Sequence, residues 1–177
     1  YYAGVVANSS PLLSLWAYQR VIEVANLMPE HDFYIKFHPV RERPEHRYHY
    51  SGLHHLHLWV RDEWIKTLKP SSNVKFLAPE VRLSGILPEF DLLLNIQSYA
   101  GLEAFALRLP VIYLQPLDQE GLYPLMKERG VMQIATNTDR LRELIEVNLN
   151  NENYLRSQLE HQTTYLDYFY ADGFPNV

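Results

Sequence analysis

The sequence has no cysteine, no long apolar run and no excess of positive charge, and each absence excludes a class of protein. Without cysteine the chain forms no disulfide, thiolate metal site or cysteine nucleophile, which fits a reducing compartment. Its formal net charge of −5 argues against a nucleic-acid binder, because binding to phosphate backbones requires a basic surface. No stretch reaches the roughly 20 apolar residues that a membrane-spanning helix needs.

Four common motifs are also absent: the glycine-rich dinucleotide signature, the Walker motif, the zinc-protease helix and the serine elbow. What is present is a chain of 177 residues with an ordinary apolar fraction of 47 %, which is enough for one domain with a real core. We expect residues 1–177 to form a single domain, with 151–177 as a C-terminal helix and tail. Because Tyr1 opens the chain inside an apolar run, we interpret the chain as a piece of a longer protein.

Strand and helix signals alternate along the chain. Apolar runs predict strands at 2–7, 33–38, 73–79, 91–97, 110–114 and 131–135. Helices are predicted from Pro11 to about Pro29 and at 58–68, 81–90, 98–109, 122–130, 139–149 and 151–170, with N-caps at Ser10, Ser98 and Thr138 and a C-cap at Gly130. Such alternation predicts a parallel sheet with helices on both faces. Ligands in these folds lie outside the carboxyl ends of the strands, so the loops that follow strands are the candidate sites.

Ser98 falls where a predicted strand becomes a helix. Its hydroxyl and the amides of Tyr99, Ala100 and Gly101 form a candidate anion site at the positive end of that helix. A glycine in the first turn costs about 1 kcal/mol relative to alanine. Close approach of the backbone to a phosphate would explain that cost, and a glycine required for packing is the alternative.

Two further residues could contact a ligand at this edge. Glu103 is one turn along the same helix, where its carboxylate could accept two hydrogen bonds from a ribose diol. A glutamate that simply faces solvent is the alternative. His38 follows the strand in YIKFHPV and is fixed by Pro39. It is either a ligand-binding histidine at the edge of the sheet or an ordinary loop histidine.

The run Ser-x-x-Gly-x-Glu, followed by an alanine-rich helix and Leu-Pro-Val-Ile, resembles the donor-binding half of GT-B glycosyltransferases. It is similar to the lipid II-forming N-acetylglucosaminyltransferase and to the non-hydrolysing UDP-N-acetylglucosamine 2-epimerases, whose ribose-binding glutamate lies seven residues before the proline of the next strand, as Glu103 lies before Pro110. The resemblance implies a Rossmann-like three-layer α/β/α domain with a mainly parallel sheet, one half of a GT-B fold. It also implies that residues 98–101 bind the pyrophosphate, that Glu103 binds the ribose, and that Asp118 and Gln119 meet the donor sugar.

Lys-x-His-Pro at residues 36–39 resembles the HP motif of bacterial capsule, lipopolysaccharide and wall-polymer transferases, which include sialyltransferases, Kdo transferases and glycerophosphotransferases. In those enzymes the histidine contacts the donor phosphate and stabilises the leaving nucleotide, which makes His38 the catalytic candidate. Ser9 and Ser10, in the loop after the first strand, join the candidate phosphate-binding residues. Tyr99 stands where sialyltransferases usually have a second hydroxyl residue, which argues against CMP-sialic acid and leaves a UDP-, CDP- or CMP-activated sugar open.

The resemblance implies a glycosyltransferase donor domain that binds a nucleotide-activated sugar for transfer to a growing bacterial surface polysaccharide or glycolipid. The implied partners are a glycan or glycolipid acceptor and an N-terminal GT-B domain outside this chain, without which we expect the domain to be inactive. No cofactor is expected besides the donor substrate. The expected location is the cytoplasm, and the full protein could also attach peripherally to the inner membrane. Half of a non-hydrolysing UDP-sugar 2-epimerase and a non-catalytic Rossmann-like assembly module are the alternatives.

Two clusters remain outside that picture. The histidines could bind a metal in a hydrolase, but no neighbouring ligand completes a motif, so we expect no metal site and instead a solvated loop that touches the acceptor; they are His46, His49, His54, His55 and His57. The aromatic residues near the end of the chain are expected to pack in the core or to contact the partner domain; they are Tyr165, Tyr168, Phe169 and Tyr170.

Overall fold

Six parallel strands form one sheet in the structure, a computed structural model that describes residues 2–6, 11–36, 63–78, 80–96, 98–116 and 124–171. The strands are β1 Tyr2–Val6, β2 Asp32–Lys36, β3 Val74–Leu77, β4 Leu92–Asn95, β5 Val111–Leu114 and β6 Gln133–Ala135. They lie in the order β3-β2-β1-β4-β5-β6, and every neighbouring pair is parallel. The predicted parallel sheet is therefore confirmed.

Helices connect most of the strands. They are α1 Pro11–Leu27, α2 63–68, α3 Leu83–Ile86, α4 Ala100–Ala106, α5 Pro124–Glu128, α6 Thr138–Asn150 and α7 Glu152–Ala171, with a 3-10 turn at Leu87–Glu89 after α3. Within the described ranges no helix is long and apolar enough to cross a membrane. All seven predicted helices are found, with bounds that differ by a few residues. The helix predicted at 139–149 is one residue longer at each end, and the one predicted at 151–170 is shifted by one residue.

Helices cover both faces of the sheet, which makes three layers. On one face α1 and α6 pack on Ile35, Leu94 and Ile112, and on the other face α4 and α7 pack on Leu93 and Val111. Leu93 and Leu94 are adjacent in β4, fully buried, and face opposite layers. This double burial explains the continuous apolar run, because both faces of a parallel strand are covered.

The N-cap of α6 differs from the prediction. Asn137 caps the helix, with an extended backbone and a side-chain oxygen that accepts the amide of Arg140 at 2.8 Å. Thr138 is the first helical residue, and its hydroxyl donates to Glu23 of α1. Asn137 and Thr138 are both good capping types, and the contact with α1 decides which of them takes the role. The predicted end of α5 is confirmed, since Gly130 has φ of +66° just past the helix.

The aromatic residues of α7 divide between core and surface. Tyr165 is buried, with its ring edge-on to Phe105 of α4 at 6.5 Å, and the ring of Phe169 stacks on it at 6.0 Å. Tyr168 lies under the guanidinium of Arg129, and Tyr170 is exposed. The expected core packing is therefore confirmed for Tyr165, because the buried stripe of α7 includes it, and the exposed contact does not apply to this residue. For Tyr168 and Tyr170 contact with a partner domain stays a prediction.

Candidate functional site

The candidate site lies where the strand order reverses. The chain builds outward from β1 through β2 to β3 and then returns to the other side of β1 to place β4. In parallel sheets this switch opens a crevice at the carboxyl ends of the two central strands, and ligands bind there. The loop after β4, which contains Ser98, therefore stands at the edge of that crevice.

Asn95, the last residue of β4, fixes the shape of this loop. It is fully buried, and its side-chain amide donates to the carbonyl oxygen of Ser98 at 2.8 Å. Its side-chain oxygen accepts the amide of Ser98 at 3.3 Å. The backbone of Ser98 is therefore held from both sides by one side chain that has no exposure to water.

The predicted cap bond of Ser98 is present, although the helix starts later. The hydroxyl of Ser98 accepts the amide of Ala100 at 3.2 Å, and its carbonyl accepts the amide of Gly101 at 3.2 Å. Tyr99 precedes the first residue of α4 in a helical conformation and makes no side-chain cap bond. Two of the amides expected to face an anion are thus bonded inside the turn, so a phosphate here would have to share or replace these bonds.

Gly101 is required for packing in this structure. A Cβ atom at Gly101 would lie 2.6 Å from the hydroxyl oxygen of Tyr113 and 2.7 Å from the side-chain nitrogen of Asn95. Both neighbours are buried and cannot move aside freely. The packing alternative is therefore enough to explain the glycine, because α4 rests directly on the ends of β4 and β5.

Tyr99 and Glu103 are exposed at the start of α4. The side chain of Tyr99 is 74 % exposed, and Glu103 is exposed four residues later, on the same side of the helix. Glu103 is the one charged residue between Ser98 and Ala106. Its carboxylate is on the exposed surface of α4, and its ribose-binding role stays a prediction.

A row of polar side chains crosses the sheet beneath this turn. Lys36 and Asn95 both pair in register with Val6 of β1, and Asn95 pairs with Tyr113. The side chains of Lys36, Asn95 and Tyr113 therefore point to the same face. Lys36 is 5 % exposed, Asn95 is 0 % and Tyr113 is 3 %. The sequence analysis assigns no role to any of these three, although Lys36 belongs to the Lys-x-His-Pro run. A polar residue that ends an apolar run, as Asn95 ends DLLLN, is a usable signal.

Six other candidates lie outside the described residues. These are Ser9, Ser10, His38, Asp118, Gln119 and, as a group, the histidines at 46, 49, 54, 55 and 57. Strand β2 ends at Lys36 on the same edge as Asn95 of β4, because β1 pairs in parallel with both. The catalytic role of His38 stays a prediction. Over the part of the chain that the structure describes, no three histidine or acidic side chains are grouped as metal ligands.

The fold is the Rossmann-like half of a GT-B fold, as comparison with solved structures shows. The UDP-GlcNAc 2-epimerase of Neisseria meningitidis, bound to UDP-GlcNAc, matches with a TM-score of 0.63 at 16 % identity, over 93 % of this chain and 40 % of that chain. The O-GlcNAc transferase of Thermobaculum terrenum matches with a TM-score of 0.58 at 15 % identity, over 94 % of this chain and 32 % of that chain.

The MnaA protein of S. aureus, solved with UDP, matches with a TM-score of 0.59 at 14 % identity, over 92 % of this chain and 40 % of that chain. No protein-family model and no curated protein matches the chain. The chain thus spans two fifths or less of the length of these three structures. Matches at such low identity establish the fold.

Proposed function

We propose that this chain is the donor-binding half of a GT-B glycosyltransferase that takes a nucleotide-activated sugar. The acceptor is a growing bacterial surface polysaccharide or glycolipid. The main support is the turn at Ser98, which Asn95 fixes at the switch point of the sheet, with Glu103 exposed on the helix that follows the turn. That is the position where folds of this kind bind nucleotides.

In this proposal the phosphates of the donor occupy the crevice between the carboxyl ends of β1 and β4. The hydroxyl of Ser98 and the backbone of residues 99–101 bind them, together with Ser9 and Ser10 after β1. Glu103 accepts hydrogen bonds from the ribose diol, which are charge-assisted and therefore stronger than neutral ones. His38, two residues beyond β2, donates to the leaving phosphate and stabilises the negative charge that develops on it.

The remaining parts of the reaction lie outside this crevice. Asp118 and Gln119 follow β5 and contact the donor sugar. The acceptor and the general base belong to an N-terminal half that this chain does not include. We therefore expect the chain alone to bind nucleotide and to transfer sugar slowly or not at all.

Calorimetric titration of the 177-residue chain with UDP, CDP and CMP tests the proposal. We expect one of these nucleotides to bind, and Glu103→Ala to weaken that binding roughly tenfold by removing a charge-assisted pair. Glu103 is exposed and alanine favours helix, so the variant should fold normally. Glu160→Ala, another exposed helix glutamate on α7, is the matched control and should bind like wild type. If none of the three nucleotides binds detectably, the proposal is wrong.

Half of a non-hydrolysing UDP-sugar 2-epimerase is the second candidate. It is favoured by the likeness to the epimerase of Neisseria meningitidis, and it would use the same crevice and the same Glu103. A nucleotide sugar that isomerises in the absence of acceptor, when the chain is part of its whole protein, identifies this function. An assembly module without catalysis would instead leave nucleotide binding and partner activity unchanged in Ser98→Ala, Glu103→Ala and His38→Ala.

A further inference from the structure

Lys36 is a buried lysine at the edge of the candidate crevice. It ends β2, the strand next to β1, and only 5 % of it is exposed. Phe33 and Ile35 of β2 belong to the core on the α1 side, so Tyr34 and Lys36 face the opposite layer. Tyr34 meets Phe90 edge-on there at 5.4 Å, which agrees with this assignment. Lys36 thus lies on the same face as Asn95.

Lysine is rarely buried, because its ammonium group loses hydration unless it is paired. Lys36 makes a contact within the chain, and an ammonium has three N–H donors, so a partner in the protein leaves donors for a ligand oxygen. Lysine also has a long flexible stem that places a compact positive charge away from the backbone. The backbone of β2 lies about 7 Å to the side of the midline between β1 and β4, because one and a half strand spacings separate them.

Over the residues that the structure describes, the proposed phosphate site has little other positive charge. Residues 98–106 include one charged side chain, the carboxylate of Glu103. Each of the six described strands has one residue at its carboxyl end, and Lys36 is the one positively charged residue among these six. Arg82, in the segment between β3 and α3, is exposed, and β3 is the outermost strand on its side of the sheet. A diphosphate brought out of water requires positive charge beyond the neutral donors of the Ser98 turn.

We propose that Lys36 is a donor-binding residue whose ammonium neutralises the second phosphate of a nucleoside diphosphate. The inference rests on the proposed function, and it narrows the donor class to sugars activated by a nucleoside diphosphate. The Ser98 turn binds one phosphate through neutral donors, and Lys36 supplies the charge that a second phosphate requires. A donor activated by a monophosphate would leave this ammonium without its ligand.

The test compares nucleotides that differ by one phosphate. Dissociation constants of the 177-residue chain are measured for UDP against UMP and for CDP against CMP, at one fixed ionic strength. For wild type we expect the diphosphate to bind roughly tenfold tighter than the monophosphate of the preferred base. Lys36→Met keeps the length of the side chain. It should bring the ratio of diphosphate to monophosphate affinity near one and leave the monophosphate affinity within about twofold of wild type.

Lys75→Met is the matched control. Lys75 pairs in register with Tyr34 and so lies on the same face of the sheet, but it is exposed and further from the carboxyl edge. The Lys75→Met variant should have the same ratio of diphosphate to monophosphate affinity as wild type. Thermal unfolding of each variant shows whether it is folded.

The outcomes separate this inference from the proposed function. Binding of nucleotides by wild type, with the same ratio in Lys36→Met, overturns the role of Lys36 alone, and so does an equal loss for both phosphate lengths. Absence of any binding by wild type overturns the proposed function itself. If Lys36→Met does not fold, Lys36→Arg decides: a retained preference for the diphosphate supports the inference, and a ratio near one contradicts it.

Discussion

Replacing Gly101 by alanine tests the packing of α4 on the sheet. The new Cβ atom would lie 2.6 Å from the Tyr113 hydroxyl oxygen and 2.7 Å from the Asn95 side-chain nitrogen, distances that Cβ atoms do not adopt. Helix propensity favours alanine by about 1 kcal/mol. Overpacking of a rigid site costs about 1–3 kcal/mol, and displacement of Asn95 also strains its two bonds to Ser98.

We therefore expect Gly101→Ala to lower the free energy of unfolding by about 1–2 kcal/mol, because overpacking and the strain on the two Asn95 bonds together exceed the gain in propensity. Urea denaturation followed by circular dichroism measures the change. Gly85→Ala is the control, since a Cβ atom at this helical position meets nothing within 4 Å, and stability should stay equal or rise. Tyr113→Phe removes one of the two close atoms and should reduce the cost of Gly101→Ala in a double-mutant cycle. A Gly101→Ala protein as stable as wild type would refute this reasoning.

Three further predictions concern the turn, a cap and the pH dependence. Asn95→Ala leaves the amide and carbonyl of Ser98 without their buried partner, so urea denaturation should show a loss of about 1–3 kcal/mol, and nucleotide binding should weaken as well. Asn137→Ala removes the cap of α6 and should cost about 1 kcal/mol by the same assay, whereas an unchanged midpoint would contradict the assigned cap. Burial raises the pKa of Tyr165 above its usual 10.0, so the folded state keeps a proton that the unfolded state releases. Stability should then be full below about pH 10 and fall as the pH rises beyond it, and thermal melts should show a shallower fall in Tyr165→Phe.

The elements of the fold follow from local sequence patterns, but their arrangement does not. DLLLN predicts a strand buried on both faces because only such a strand tolerates leucine at successive positions, and Leu93 and Leu94 confirm this. The strand order depends on pairings between distant segments, such as Val6 with both Lys36 and Asn95, which no local pattern contains. The position of the switch point therefore became known only with the sheet.

The residues of the candidate site are likewise predicted only in part from the sequence. Ser98 is found from the change of periodicity at the end of a strand, and its cap bond is present. Asn95 is missed because it reads as the end of an apolar run, and its role appears only when the turn closes on it. Gly101 is recognised as unusual, but its cause is Tyr113 of the next strand, which only the fold brings into contact.

The most direct test of the central claim is a crystal of this chain soaked with the nucleotide that binds in solution. We predict that its phosphates lie between the carboxyl ends of β1 and β4, within hydrogen-bonding distance of Ser98, with the ribose at Glu103. A nucleotide bound at another edge of the sheet, or a crevice that stays empty at saturating concentration, would contradict the account.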